Sequence, residues 1–158
     1  MSELNISDIL QAKLPKDQYV QDEDGKSQIY LHHTASDGNA LDVVHGWQFT
    51  VEKIGTAFVI SGNKDGTSYC PDDGKIVQAF SSKNWAAHLG LKTSSNYLLH
   101  RHSVGIELCN WGQLLKREGK FYNYVNRPVA DDRVVHYPKK HRGFEYYEKY
   151  TTAQIESV

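Results

Sequence analysis

The stretch QIYLHHTAS, Gln28 to Ser36, constrains the fold more than any other: it is a short run of β-formers that ends in two adjacent histidines and a turn. Period-two alternation assigns Ile29, Leu31 and His33 to one face and Tyr30, His32 and Thr34 to the other. The apolar face is expected to look inward, which leaves His32 as the imidazole that points into a cleft. A neutral imidazole held at a strand end suits a zinc ion, because the strand fixes its direction and the ring nitrogen need not lose a proton at neutral pH. The plain alternative is a satisfied structural histidine pair.

Upstream, Leu4, Ile6, Ile9, Leu10 and Leu14 show weak helical spacing, with Ser7 as N-cap and Pro15 as stop. A charged turn from Asp22 to Lys26 then delivers the chain to the histidine strand. Ser36 and Asp37 can cap a following helix, in which Ala40, Val43, Val44 and Trp47 share a face within Asn39 to Phe49. A meander is expected next: a strand at Ala57 to Ser61, a turn from Gly62 to Gly66, a strand from Thr67 to Cys70, a turn from Pro71 to Gly74, then IVQAF. NWAAHLG carries His88 just before a Ser- and Asn-rich loop, where cleft residues concentrate; a buried structural histidine is the alternative.

In SVGIELCNWG, alternation sends Val104, Ile106 and Leu108 to one face and Gly105, Glu107 and Cys109 to the other. A carboxylate inside an apolar strand costs several kcal/mol if it is buried without a partner. Glu107 therefore faces solvent, meets a cation, or is tuned for proton transfer. LLKREGKFYNYV reads as a hairpin turning at Glu118 and Gly119, and residues 127–143 read as irregular and polar. Thr151 to Gln154 match a capping box, so a helix is expected from Thr152 with Ile155 and Val158 on its inner face. A signalled helix this short suggests that a natural C-terminal portion is absent; a short docked terminal helix is the alternative.

With 158 residues, 39% of them apolar and 23% charged, the chain is sized and composed for one soluble globular domain. Its net charge of −1 argues against a duplex-binding surface, so nucleic acid is not an expected partner. The clusters Lys139, Lys140, Arg142 and His100, Arg101, His102 read as solvated surface. Two cysteines are too few for a disulfide scaffold, leaving either one bridge or free thiols. No secretory leader and no membrane span is evident, so the chain is expected to be cytoplasmic, exported without a Sec signal of its own, or a form with its signal already removed. Nothing in the pattern fixes an oligomeric state.

Taken in order, IYLHHTAS, IGTAFVISGNKDGT, NWAAHLG, SVGIELCNWG and YYEKYTTAQIES resemble the zinc-dependent N-acetylmuramoyl-L-alanine amidases of type 2, a family that includes peptidoglycan recognition proteins. The resemblance covers residues 28–158, with 1–27 as an N-terminal extension. It implies an α/β fold, a mixed central β-sheet flanked by helices, with a peptidoglycan-binding groove over one face and zinc at its floor. His32 matches the first zinc ligand, and Glu107 the strand glutamate that orients or deprotonates the attacking water. Thr56 stands where many relatives carry a carbonyl-polarising Tyr. Thr34, Thr56 and His88 are expected to contact substrate. The family's second and third zinc ligands have no counterpart in this sequence, which agrees with an absent C-terminal part.

The resemblance thus implies a peptidoglycan hydrolase cleaving the amide between N-acetylmuramic acid and L-alanine of the stem peptide. The rival is a non-catalytic muramyl-peptide-binding module that has lost its zinc site. A third reading, Cys109 as the nucleophile of a cysteine peptidase, lacks a helix N-terminus to lower the thiol pKa.

Overall fold

Two apolar runs that pair in parallel set up the molecule: β2 (Gln28–His33) lies beside β5 (Ser103–Leu108) in unbroken register from Gln28↔Ser103 to His33↔Leu108. The structure, a computed structural model, describes residues 8–36, 38–63, 71–92 and 95–158. On its other side β5 pairs in parallel with β3 (Phe58–Ile60), which runs antiparallel to β4 (Ile76–Gln78). The two-residue β1 (Leu10–Gln11) joins β4 in parallel, giving the order β1-β4-β3-β5-β2. The expected mixed central sheet is present.

Apolar residues cover both faces of this sheet. On one face lies α1 (Ala40–Trp47), whose Ala40 and Val44, four residues apart, are completely buried against a cluster holding Val59, Val77 and Cys109. Asn39 caps this helix through its side-chain oxygen, which accepts from the Leu41 N–H at 2.8 Å. Capping therefore falls to Asn39 rather than to Ser36; Asp37 lies outside the described residues. On the other face Ile60, Ile76 and Leu108 form a separate cluster.

A second helix, α2 (Asn96–Arg101), stands where the sequence read as loop. It precedes β5 directly and brings His100, only 5% exposed, beneath the sheet. The reading of His100 as surface is corrected: its neighbour Arg101 pairs with Asp22 and Asp24, but the imidazole turns inward.

Beyond β5 the chain builds a second five-stranded sheet, ordered β8-β7-β6-β10-β9, that the sequence did not announce in full. Its first part is the expected hairpin, β6 (Gln113–Arg117) and β7 (Lys120–Tyr122), turning at Glu118 and Gly119 with φ of 50° and 79°. The region expected to be irregular instead holds β8 (Pro128–Val129) and the eight-residue β9 (Val134–His141), which returns as β10 (Phe144–Glu148). Pro138 discouraged a strand assignment, yet β9 is the edge of its sheet, where a residue without an N–H leaves no inner ladder bond unmade. Trp111, Leu114, Phe121 and Val129 fill the core of this unit.

At the N-terminus the expected helix is interrupted: Leu10 and Gln11 are strand, and Leu14 is buried in the core, while Leu4, Ile6 and Ser7 lie outside the described residues. The turn at Lys64 to Gly66 and the strand at Thr67 to Cys70 also lie outside them. The C-terminal helix α3 (Thr152–Glu156) starts where its capping box predicts, with Thr151 as N-cap and Gln154 answering it. Its inner face differs from expectation. Ile155 and Val158 are exposed, and Gln154 is the buried residue, its amide donating to the Cys109 carbonyl at 2.9 Å.

Candidate functional site

The register of β2 on β5 makes His32 and Glu107 direct partners on neighbouring parallel strands. Both side chains line a cavity of about 960 Å³. One side of it is the central sheet, with His32 and His33, beside His88 on a neighbouring irregular segment; the other is the β9–β10 hairpin, with Tyr137, Lys139 and Tyr147. A smaller adjoining pocket of about 160 Å³ holds Thr34, Thr56, His88 and Glu107 beside α1. All five sequence-predicted site residues therefore line one of two connected hollows.

The orientation of β2 is only partly as expected. His32 reaches the cavity, but the face of Ile29 and Leu31 does not look inward: the two are 67% and 56% exposed. β2 is an edge strand, and alternation separated its two faces but misassigned which is covered. His33 is fixed by packing against Gly112, whose φ of +71° and lack of a Cβ leave room for the ring.

Burial governs the electrostatics. Glu107 has its carboxyl pushed up to about 7 by desolvation, so it is close to half-ionised in neutral solution. His32 and His33 are held below the ordinary imidazole value, first by burial and then by neighbouring positive charge. His88 is lowered furthest, to about 3, by burial ahead of its histidine neighbours, and stays neutral across the physiological range. The Cys109 thiol is free, buried and pushed up to about 12, chiefly by burial, which removes it as a nucleophile at neutral pH.

Local structure explains how His88 arrives on an otherwise irregular segment. The Ala87 N–H donates to the Lys53 carbonyl at 2.7 Å, and the Gly55 N–H donates to the Ala87 carbonyl at 3.1 Å, pinning the backbone one residue before it. Gly105 of β5 permits the approach, since a Cβ there would lie 3.1 Å from the His88 ring and 2.7 Å from Thr56 Cγ2. Thr56 itself is buried and donates to the Phe58 carbonyl at 2.8 Å. Thr34 is taken up locally, its hydroxyl oxygen accepting from the Ser36 hydroxyl at 2.9 Å and from the Asn110 N–H at 3.3 Å.

Two residues of the site escaped the sequence reading. His100 accepts the His88 N–H on Nδ1 at 3.1 Å, and Ser103 meets His88 Nε2 at 3.0 Å. No spacing signal marks either, because α2 and the start of β5 bring them to His88 from 12 and 15 residues away.

As a metal centre the donor set is incomplete. Among the described residues no group of three or more His, Cys, Asp or Glu side chains is arranged to hold a metal ion. His32 Nε2 is engaged with His88 Nδ1 at 3.1 Å. A catalytic zinc takes three protein donors and a water, so the described residues do not by themselves make such a site.

No protein-family model matches the chain, and no curated protein matches it. Among solved structures it is similar to "Structure of PlyL" at 15% identity and a TM-score of 0.48, with 64% of this chain and 57% of that chain covered. It is also similar to "Mutant endolysin from Bacillus subtilis" at 21% identity and a TM-score of 0.44, covering 64% of this chain and 60% of that one. The matched part thus spans less than two thirds of these structures. Among the described residues no helix is long and apolar enough to cross a membrane.

Proposed function

We propose that this chain is the body of a peptidoglycan hydrolase that cleaves the amide between N-acetylmuramic acid and L-alanine of the stem peptide. The observation that carries the reading is the register pairing of His32 with Glu107 at a cavity large enough for a muramyl peptide, with the carboxyl poised near neutrality. A carboxyl that titrates near the working pH can take a proton from an attacking water and return it to the leaving amine. The ordered motif series supports the same reading. Thr34, Thr56 and His88 line the smaller pocket beside Glu107 and are proposed to face the substrate from there. A zinc ion belongs to the proposal through the resemblance, with His32 as its one named ligand. The described residues do not complete its site.

The incomplete donor set favours a second reading, a module that binds muramyl peptide without cleaving it. One experiment separates the two. The chain is incubated with a soluble muramyl peptide, binding is followed by calorimetry and release of the stem peptide by mass spectrometry. Release that falls about 100-fold or more in Glu107→Gln supports the hydrolase, in line with the usual worth of a positioned proton-transfer group. Binding without release supports the module. Release at an unchanged rate in Glu107→Gln refutes the role given to that residue, and neither binding nor release overturns both readings.

A further inference from the structure

Behind the cavity wall runs a series of polar contacts that the proposed chemistry leaves unused. Its direction can be read from one end. The Ser103 hydroxyl lies 2.5 Å from the Leu99 carbonyl oxygen. Two oxygens approach so closely only with a proton between them, and a carbonyl has none, so Ser103 donates. A hydroxyl carries a single proton. Its contact with His88 Nε2 at 3.0 Å must therefore be one that Ser103 accepts, which places the His88 proton on Nε2.

The remainder follows by exclusion. In a neutral imidazole, the form present at mildly alkaline pH, a proton on Nε2 leaves Nδ1 with a lone pair, and that nitrogen of His88 lies 3.1 Å from His32 Nε2. Of the two rings only His32 has a proton to give at this contact. His88 is itself anchored on its far side, where its backbone N–H donates to the buried His100 Nδ1 at 3.1 Å. Nδ1 of His32 has no hydrogen-bond partner among the described residues, and His32 lines the large cavity.

We propose that His88 and Ser103 are positioning residues that hold His32 in its Nε2–H tautomer, so that the lone pair His32 offers to any incoming proton or cation is that of Nδ1. The inference deepens the reading of His32 as a site residue and rests on that reading for its purpose. The tautomer itself is a property of this chain, independent of substrate or metal. It also gives His88 a task apart from touching substrate: the ring spends one nitrogen on Ser103 and the other on His32.

The test is long-range ¹H–¹⁵N correlation of the histidine rings in the ¹⁵N-labelled, chelator-treated chain at mildly alkaline pH. The expected wild-type result is a single tautomer for His32, with a protonated-type Nε2 and a lone-pair-type Nδ1, and the same assignment for His88. His88→Ala is expected to bring the two His32 nitrogens towards averaged positions. His88→Gln, whose side-chain oxygen can accept, is expected to restore their separation. A wild-type His32 protonated on Nδ1 or already averaged overturns the inference, and so does a His32 pattern unchanged in His88→Ala. The wild-type spectrum decides the matter even if a variant does not fold. Because neither muramyl peptide nor metal enters the measurement, failure of the hydrolase reading and failure of the tautomer are told apart.

Discussion

Glu107 sits in the middle of β5, and its carboxyl is raised from an ordinary value of 4.5 to about 7 because burial disfavours its charge. A folded-state pKa above the unfolded one contributes stability that is fully present below the unfolded value and lost as pH rises through the folded value. Ionising Glu107 is therefore expected to weaken folding between about pH 4.5 and 7, by up to about 3 kcal/mol. His88 acts in the opposite sense. Its pKa is depressed from 6.5 to about 3, so its stabilising contribution is lost as pH falls through that interval. The two windows overlap, and the clean measurement is the difference in unfolding free energy between wild type and Glu107→Gln across pH 4 to 8. That difference should shift in favour of Glu107→Gln as pH rises; a flat difference would show that the carboxyl is better solvated than its position implies. The oddity of Glu107, a carboxyl in an apolar strand, was legible in the sequence. Its partner was not, because the register that places it beside His32 depends on how two strands 75 positions apart meet.

At the scale of elements, local chemistry was the reliable guide. The α3 capping box is formed as written: the Thr151 hydroxyl accepts from the Gln154 N–H at 3.0 Å, and the Gln154 side chain accepts from the Thr151 N–H at 3.1 Å. The same hydroxyl donates to Asp73 at 2.7 Å, tying the helix start to the turn before β4. Thr151→Ala is expected to cost about 1 kcal/mol in chemical denaturation, whereas Thr151→Ser should retain most of the stability. Equal stability in all three proteins would show that the cap adds nothing once α3 is docked. Where local signals misled, a neighbour had overruled them. Leu10 carries helical spacing but, with Gln11, finds a free sheet edge, and Pro138 reads as a breaker but falls on an edge strand. Ile155 takes an inner position by periodicity, yet Gln154 is buried in its place because the Cys109 carbonyl needs a donor there.

At the scale of the molecule, the two sheets are joined by a buried charge. Glu148 at the end of β10 is 4% exposed; its carboxylate accepts from the Trp111 N–H at 2.6 Å and pairs with Arg133. Arg133 also donates to the Asn63 carbonyl at 3.1 Å, in the loop that leaves β3, so one guanidinium spans from the second sheet to the first. Removing a partner from a buried pair leaves a desolvated charge, so Arg133→Ala is expected to cost about 3 kcal/mol. It should also raise proteolytic susceptibility within residues 127–150. A loss below about 1 kcal/mol, the range of an exposed pair, would mean that this ion pair contributes little to joining the sheets.

The sequence by itself determined what short-range chemistry controls: the strands at Gln28 and Ser103, the hairpin turn at Glu118 and Gly119, the cap at Thr151, and the choice of His32 and Glu107 as the residues to watch. Periodicity and capping act within a few residues, so they survive in the one-dimensional record. Tertiary structure alone decided which face of β2 is covered, that residues 127–148 complete a second sheet, and that Ser103, His88 and His100 converge behind His32. Those outcomes depend on contacts between segments far apart in the chain, and on which edges and faces remain open once the nearer pairings have formed.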